Sequence, residues 1–208
     1  MLSPKFLALL EAEDLKDKVV LDVGCGAGRL AFRLAPRCRR VIGIDRDTTA
    51  IAQAQQRAAA ERLANAEFSV ADAEAVEYDP FAPQLIAAHL CMSDAIIARC
   101  ARALAPGEYL VFVAFHVDQW QETGRPSRFA YDEARLASVL RGSGFHPEHL
   151  EVEREVTRFG TVQEGLAAAA GLEDRWKADS RWQRYVEFLE RGGRTLTRSH
   201  LIVKARRR

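Results

Sequence analysis

The stretch Val19-Val20-Leu21-Asp22-Val23-Gly24-Cys25-Gly26-Ala27-Gly28 constrains this chain more than any other. It is an apolar run broken by one acid, then three glycines at alternate positions. Apart from Asp22, Val19 to Val23 are β-branched residues or leucine, which suits a buried parallel strand. The glycines cannot extend that strand, so the backbone must turn at once. Arg29-Leu30-Ala31-Phe32-Arg33-Leu34 follows, with Leu30 and Leu34 on one helical face. Strand, glycine bend and helix in this order predict bare backbone N–H groups and a positive helix end beside a pocket.

The spacing narrows the ligand. The dinucleotide fingerprint is G-x-G-x-x-G, with the pyrophosphate on the helix N-terminus. This chain has G-x-G-x-G, and Asp22 stands two residues before the first glycine. A carboxylate there repels a pyrophosphate and attracts an ammonium group. Asp22-Val23-Gly24-Cys25-Gly26-Ala27-Gly28 closely resembles motif I of the class I S-adenosylmethionine-dependent methyltransferases. The resemblance implies a Rossmann-like, doubly wound α/β sheet of seven strands, mostly parallel with an antiparallel last strand. It also implies S-adenosyl-L-methionine as cofactor, with Asp22, Gly24, Cys25, Gly26 and Gly28 around its amino-acid end.

The next strands extend the match. Arg40-Val41-Ile42-Gly43-Ile44-Asp45 ends in an acid. At a strand tip, Asp45, with Arg46 beside it, can accept hydrogen bonds from ribose hydroxyls. Asp47 is the better N-cap for the helix predicted over 48–63, which frees Asp45 for a ligand. Phe68 and Val70 alternate with Glu67 and Ser69 as in a third strand. Asp72-Ala73-Glu74 follows where the resembling family reads adenine. Gln84 to Met92 gives a fourth strand and its mouth, with His89-Leu90-Cys91-Met92 at the family's motif IV position. His89 and Leu90 are therefore assigned to the cofactor site. The Asn/Asp-Pro-Pro-Tyr/Phe signature of many amino-methylating nucleic-acid enzymes is absent there.

Ala105-Pro106-Gly107-Glu108 resembles the family's turn before the fifth strand, which runs from Tyr109 to His116. His89 and His116 both end central strands, and imidazole titrates near neutrality, so both are candidate bases. Residues 117–130 form a long irregular loop, a length usually kept for function. Trp120, Arg128 and Tyr131 are its candidate substrate contacts; pinning the loop to the core is the other role open to its aromatic residues. A helix is predicted over 132–143 and a strand over 151–158. A helical insertion covers about 161–191, to roof the site or form a dimer face, and a final strand covers 197–205. The whole is expected to be a single methyltransferase domain over 1–208.

Bulk properties exclude some classes. A net charge of +1 over 208 residues gives no global drive toward nucleic acid or membrane. No run of eighteen apolar residues exists, and Met1 to Phe6 does not open a signal peptide. Cys25, Cys38, Cys91 and Cys100 show no C-x-x-C spacing, so reduced thiols in a cytoplasmic protein are expected. No metal is expected either, since Asp94 and Asp118 alone do not make a cation site. The leading partner is a small-molecule substrate. An RNA or protein acceptor is open but not favoured, despite six cations in residues 194–208. A non-catalytic cofactor-binding or adapter protein is the third alternative. A monomer or a homodimer is expected, with no membrane partner.

Overall fold

The computed structural model describes residues 2–208. Its strands are β1 (Val19–Val23), β2 (Arg40–Asp45), β3 (Ala66–Val70), β4 (Leu85–His89), β5 (Tyr109–His116), β6 (Ala130–Tyr131), β7 (Phe145–Arg158) and β8 (Thr195–Arg207). The sheet order is β3-β2-β1-β4-β5-β8-β7, with β6 beside the end of β5. β1 pairs in parallel with β2 on one side, Val23 opposite Ile44, and with β4 on the other, Val23 opposite Ala88. β2–β3, β4–β5 and the short β5–β6 pairs are also parallel. β8 runs back along β5: Gly107 donates to Arg207 at one end and Trp120 to Thr197 at the other. The same holds for β7 and β8, where Arg208 donates to Gly144 and Phe159 to Arg194.

This is the predicted mostly parallel sheet with an antiparallel last strand. The count is eight rather than seven, because the two-residue β6 forms at the end of the region expected to be irregular. β7 begins at Phe145, six residues earlier than predicted. Pro147 hides that start, yet β7 is an edge strand, where a missing N–H costs no ladder bond.

The helices are α1 (Pro4–Glu11), α2 (Arg29–Leu34), α3 (Thr48–Ala60), α4 (Asp94–Ala103), α5 (Glu133–Gly142), α6 (Val162–Ala169), α7 (Glu173–Lys177) and α8 (Arg181–Glu190). Their starts follow from the sequence. Ser3 caps α1 with Pro4 at its first position, Asp47 caps α3 through Thr49 and Ala50, and Ser93 caps α4 through Ile96.

The chain groups into two compact units. The first comprises Met1–Ala114, Glu133–Glu151 and Ile202–Arg208. Its core is the all-buried β1 and the buried residues 85–88 of β4 with Phe6, Leu10, Leu30, Leu34, Ile51, Phe68 and Val111. The second comprises Phe115–Asp132 and Val152–Leu201 and so contains the whole insertion. Its core is a chain of rings: Phe115 lies 5.7 Å from Trp120, Trp120 5.3 Å from Trp176, and Trp176 5.5 Å from Tyr185. In α8, Tyr185 and Leu189 are buried, while Trp182 and Val186 are half-buried. No helix among the described residues is long and apolar enough to cross a membrane.

Candidate functional site

Parallel pairing puts the ends of β1, β2, β3 and β4 along one edge of the sheet. The chain order reverses between β1 and β4, and ligands of such sheets bind outside the strand ends at that point. The glycine bend stands there. All three glycines lie in the left-handed region, with φ of +69° at Gly24, +52° at Gly26 and +79° at Gly28. Each is needed for a different reason. A β-carbon on Gly24 would sit 2.4 Å from Cys91 Cβ, and one on Gly28 2.7 Å from the Phe32 ring. A β-carbon on Gly26 would meet nothing within 4 Å. Gly24 and Gly28 are thus fixed by the protein's own packing, and Gly26 is the one that faces open space.

The bend is less bare than the sequence suggests. Gly24 and Cys25 both donate to Ile44 O, at 2.8 and 3.0 Å, and Gly28 donates to Cys25 O. Gly26 donates to Asp45 Oδ2 at 2.8 Å, and Asp47 donates to Asp45 Oδ1 at 2.9 Å. Asp45 therefore holds the bend in shape while remaining half-buried at the strand tip. A carboxylate oxygen has lone pairs beyond these bonds, so the ribose role stays open to it. Arg46, next to it, is exposed.

Asp22 lies beneath the loop rather than at its mouth. It is 1 % exposed, and its Oδ2 accepts from Ala31 N at 3.1 Å. That bond caps α2, whose own N-cap, Gly28, has no side chain to do so. Burial pushes the carboxyl up to about 7; the Ala31 hydrogen bond opposes this, and the nearby Asp45 charge adds to it. Once ionised, Asp22 is a buried charge that the Ala31 hydrogen bond compensates only in part. Cys25 is buried, with its thiol pushed well above the ordinary range, chiefly by burial and then by Asp22 and Asp45. It fills space and is not poised as a nucleophile.

At the third strand, Asp72 Oδ1 accepts from Glu74 N at 2.8 Å, an Asx turn that shapes the exposed Asp72-Ala73-Glu74 corner. Ala73 O accepts from the buried Tyr78 hydroxyl at 2.7 Å. At the fourth strand, Leu90 has φ of +61°, an uncommon conformation for a non-glycine residue. Its N–H is tied to Val113 O at 2.8 Å. His89, half-buried, has its ring 5.7 Å from Phe6. Cys91, at the motif IV position but not among the predicted site residues, belongs to this group. Its contact with Gly24 joins the mouth of β4 to the bend, and burial, then Asp45 and Asp22, push its thiol up to about 11. Its sequence signals are the motif IV position and its place two residues past the end of β4.

The remaining predicted residues fall in the second unit. His116 is 7 % exposed; its Nδ1 lies 3.0 Å from Ser199 Oγ and accepts from Asp118 N at 3.3 Å. Its Nδ1 is thus engaged within the protein rather than open at the end of the strand. Trp120 and Tyr131, expected to meet substrate, are buried at 6 % and 2 % exposure; Trp120 packs in the ring chain, so the pinning role describes it better. Arg128 is exposed and lies over Phe129 at 4.3 Å. A hollow of about 620 Å³ also lies beside α3 and β3, but none of the predicted cofactor residues lines it.

The sequence matches the methyltransferase domain family over residues 14–191, most of its length. The chain belongs to the methyltransferase domain family. This methyltransferase is 28% identical over 213 residues to the 2-heptyl-1-hydroxyquinolin-4(1H)-one methyltransferase of Mycobacteroides abscessus, covering 98% of this chain and 85% of that one. It is 34% identical over 107 residues to the ubiquinone biosynthesis O-methyltransferase of Acinetobacter baylyi, 49% of this chain and 45% of that enzyme. The match thus spans under half the length of the ubiquinone-type relative. In fold it is similar to an S-adenosylmethionine-dependent methyltransferase from Mesorhizobium loti, with a TM-score of 0.65, 19% identity, and 98% and 96% of the two chains covered. Its cofactor is S-adenosylmethionine. The site fits that group: open space over Gly26 admits a ligand against the backbone, and the buried Asp22 charge favours a cationic one.

Proposed function

We propose that this methyltransferase methylates a small-molecule acceptor. The bound cofactor supplies an activated methyl on positive sulfur. The chain's own work is then to position and to exclude water, which is where much of the barrier reduction in such a transfer arises. Asp22, through its field, and the bend around Gly26 hold the amino-acid end; Asp45 takes the ribose; the Asp72 corner takes adenine. His89, at the mouth of β4, is the base where the acceptor must lose a proton.

The open approach over Gly26 above a buried carboxylate carries this reading. Two relatives support the acceptor class, since both are named for small molecules. The basic C-terminus gives little support to a nucleic-acid acceptor, because much of it is engaged. Arg206 pairs with Glu148 at 2.7 Å, and Arg207 donates to Ala101 O and Gly144 O, each at 2.8 Å. The reading includes a cytoplasmic location, supported by four free cysteines.

The test incubates the protein with methyl-tritiated S-adenosylmethionine and a fractionated bacterial extract. Label is expected in the small-molecule fraction, and His89→Ala should lower it at least tenfold for a hydroxyl acceptor. Label confined to RNA or protein would overturn the acceptor class. Cofactor binding with no label anywhere would leave the adapter alternative.

A further inference from the structure

The second unit contains two buried donors with nothing to bond. Arg181 opens α8 at 7 % exposure, and its Nε has no hydrogen-bond partner. Trp176, in α7, is fully buried, and its indole Nε1 also has none. Leaving a donor unmet in a protein interior is costly, so two around one ring call for a reason. Both pack on Trp120: the Arg181 guanidinium carbon is 5.8 Å from its ring centre and the Trp176 ring 5.3 Å. The Tyr185 hydroxyl beyond them is committed to Gly165 O.

The charge is unbalanced in one direction. Arg181 Nη1 reaches Asp179 Oδ2 at 3.4 Å, and Asp179 is partly exposed. Asp179, with Glu122 near Tyr185, stands against Arg181 itself and the nearby Arg175 and Arg125, whose charges reinforce burial in pulling the Arg181 guanidinium below its ordinary range. Unmet N–H donors and surplus positive charge between aromatic walls suit an oxygen anion on a flat molecule. The edge of a guanidinium matches a carboxylate in two parallel hydrogen bonds. A cation would be repelled, and an apolar ligand would leave both donors unmet.

We propose that Arg181, Trp176 and Trp120 form a binding site for an aromatic carboxylate, with Arg125 and Arg175 adding to its attraction. The site deepens the small-molecule reading above, and rests on it only in taking this carboxylate as the methyl acceptor. Both donors are sealed in this state, so entry requires α7 to lift. α7 is five residues long and sits between a 3-10 turn and Ser180, whose φ is +66°. A short element with a strained joint is the piece of this unit best suited to move.

Calorimetry on the full chain tests this, with 2-naphthoate as probe and 2-naphthamide as its neutral counterpart. Naphthoate should bind saturably and naphthamide at least tenfold more weakly. Arg181→Gln should weaken naphthoate at least tenfold with S-adenosylmethionine binding unchanged. If that variant fails to fold, the exposed pair Arg125→Gln and Arg175→Gln should weaken it three- to tenfold. Equal binding of acid and amide, no binding of naphthoate, or full affinity in the arginine variants overturns the site. Charge-dependent naphthoate binding in a protein that labels no small molecule would keep the site and defeat the methyl-transfer reading instead.

Discussion

Replacing Asp22 by Asn is expected to stabilise the free protein above neutral pH while weakening S-adenosylmethionine binding. The side chain is 1 % exposed, and its carboxyl, ordinarily near 3.8, is pushed up to about 7, mostly by burial. A group whose folded pKa is raised holds its proton more tightly when folded. Its contribution is therefore fully favourable below about pH 4 and is lost as pH rises to about 7. A shift of that size corresponds to roughly 4 kcal/mol of penalty on the ionised form. Asn keeps an oxygen for Ala31 N and cannot ionise, so the variant should lose the decline. Urea unfolding at pH 4 and pH 8 reads this directly. The variant's advantage should grow by roughly 2–4 kcal/mol between the two.

Binding should move the other way. A cationic ligand favours the carboxylate, so wild-type affinity should fall as pH drops below about 7, and the Asn variant should show no such slope. At an effective dielectric near 20 and a separation of about 6 Å, losing one charge costs roughly 2–3 kcal/mol of attraction. That is a thirty- to hundredfold rise in Kd by calorimetry at pH 8. An affinity unmoved by the substitution would mean that the buried acid does no more than cap α2.

The second large effect separates the glycines. Gly24→Ala places a methyl 2.4 Å from Cys91 Cβ and 2.5 Å from its sulfur, at φ of +69°. The left-handed conformation and the overpacking together should cost roughly 2–5 kcal/mol. Cys91→Gly should return part of it. Gly26→Ala carries the conformational cost at φ of +52° without a clash, so it should lose about 1–2 kcal/mol and still fold. The cofactor should suffer most in Gly26→Ala, because its methyl projects into the space a ligand needs. Thermal melts with and without S-adenosylhomocysteine distinguish the two. Wild-type stability in Gly24→Ala would mean that the bend and the β4 mouth are not packed as described.

Much of the first unit was legible because its signals are local. An apolar run followed by glycines can only be a buried strand and a turn, and β1 and β2 have the predicted bounds. Asp47 and Ser93 announce their helices by capping chemistry within three residues. What escaped depends on distant partners. Asp45 reads as a free ligand acid until Gly26, nineteen residues earlier, is seen to occupy one of its oxygens. Cys91 gains meaning only from the missing side chain of Gly24. The segment after His116 reads as open loop, yet Trp120, Gln119 and Thr123 are buried there, and Trp120 packs on Trp176 from the insertion. No periodicity links those two tryptophans. The same distance hides the unmet donor of Arg181, which looks like an ordinary helix-starting arginine.

The measurement closest to the central claim is a pair of calorimetric titrations of the purified chain, one with S-adenosylhomocysteine and one with NADH. An acid under a tight backbone bend, with one glycine facing open space, predicts saturable heat for the first and none for the second. Heat with NADH alone would contradict the account.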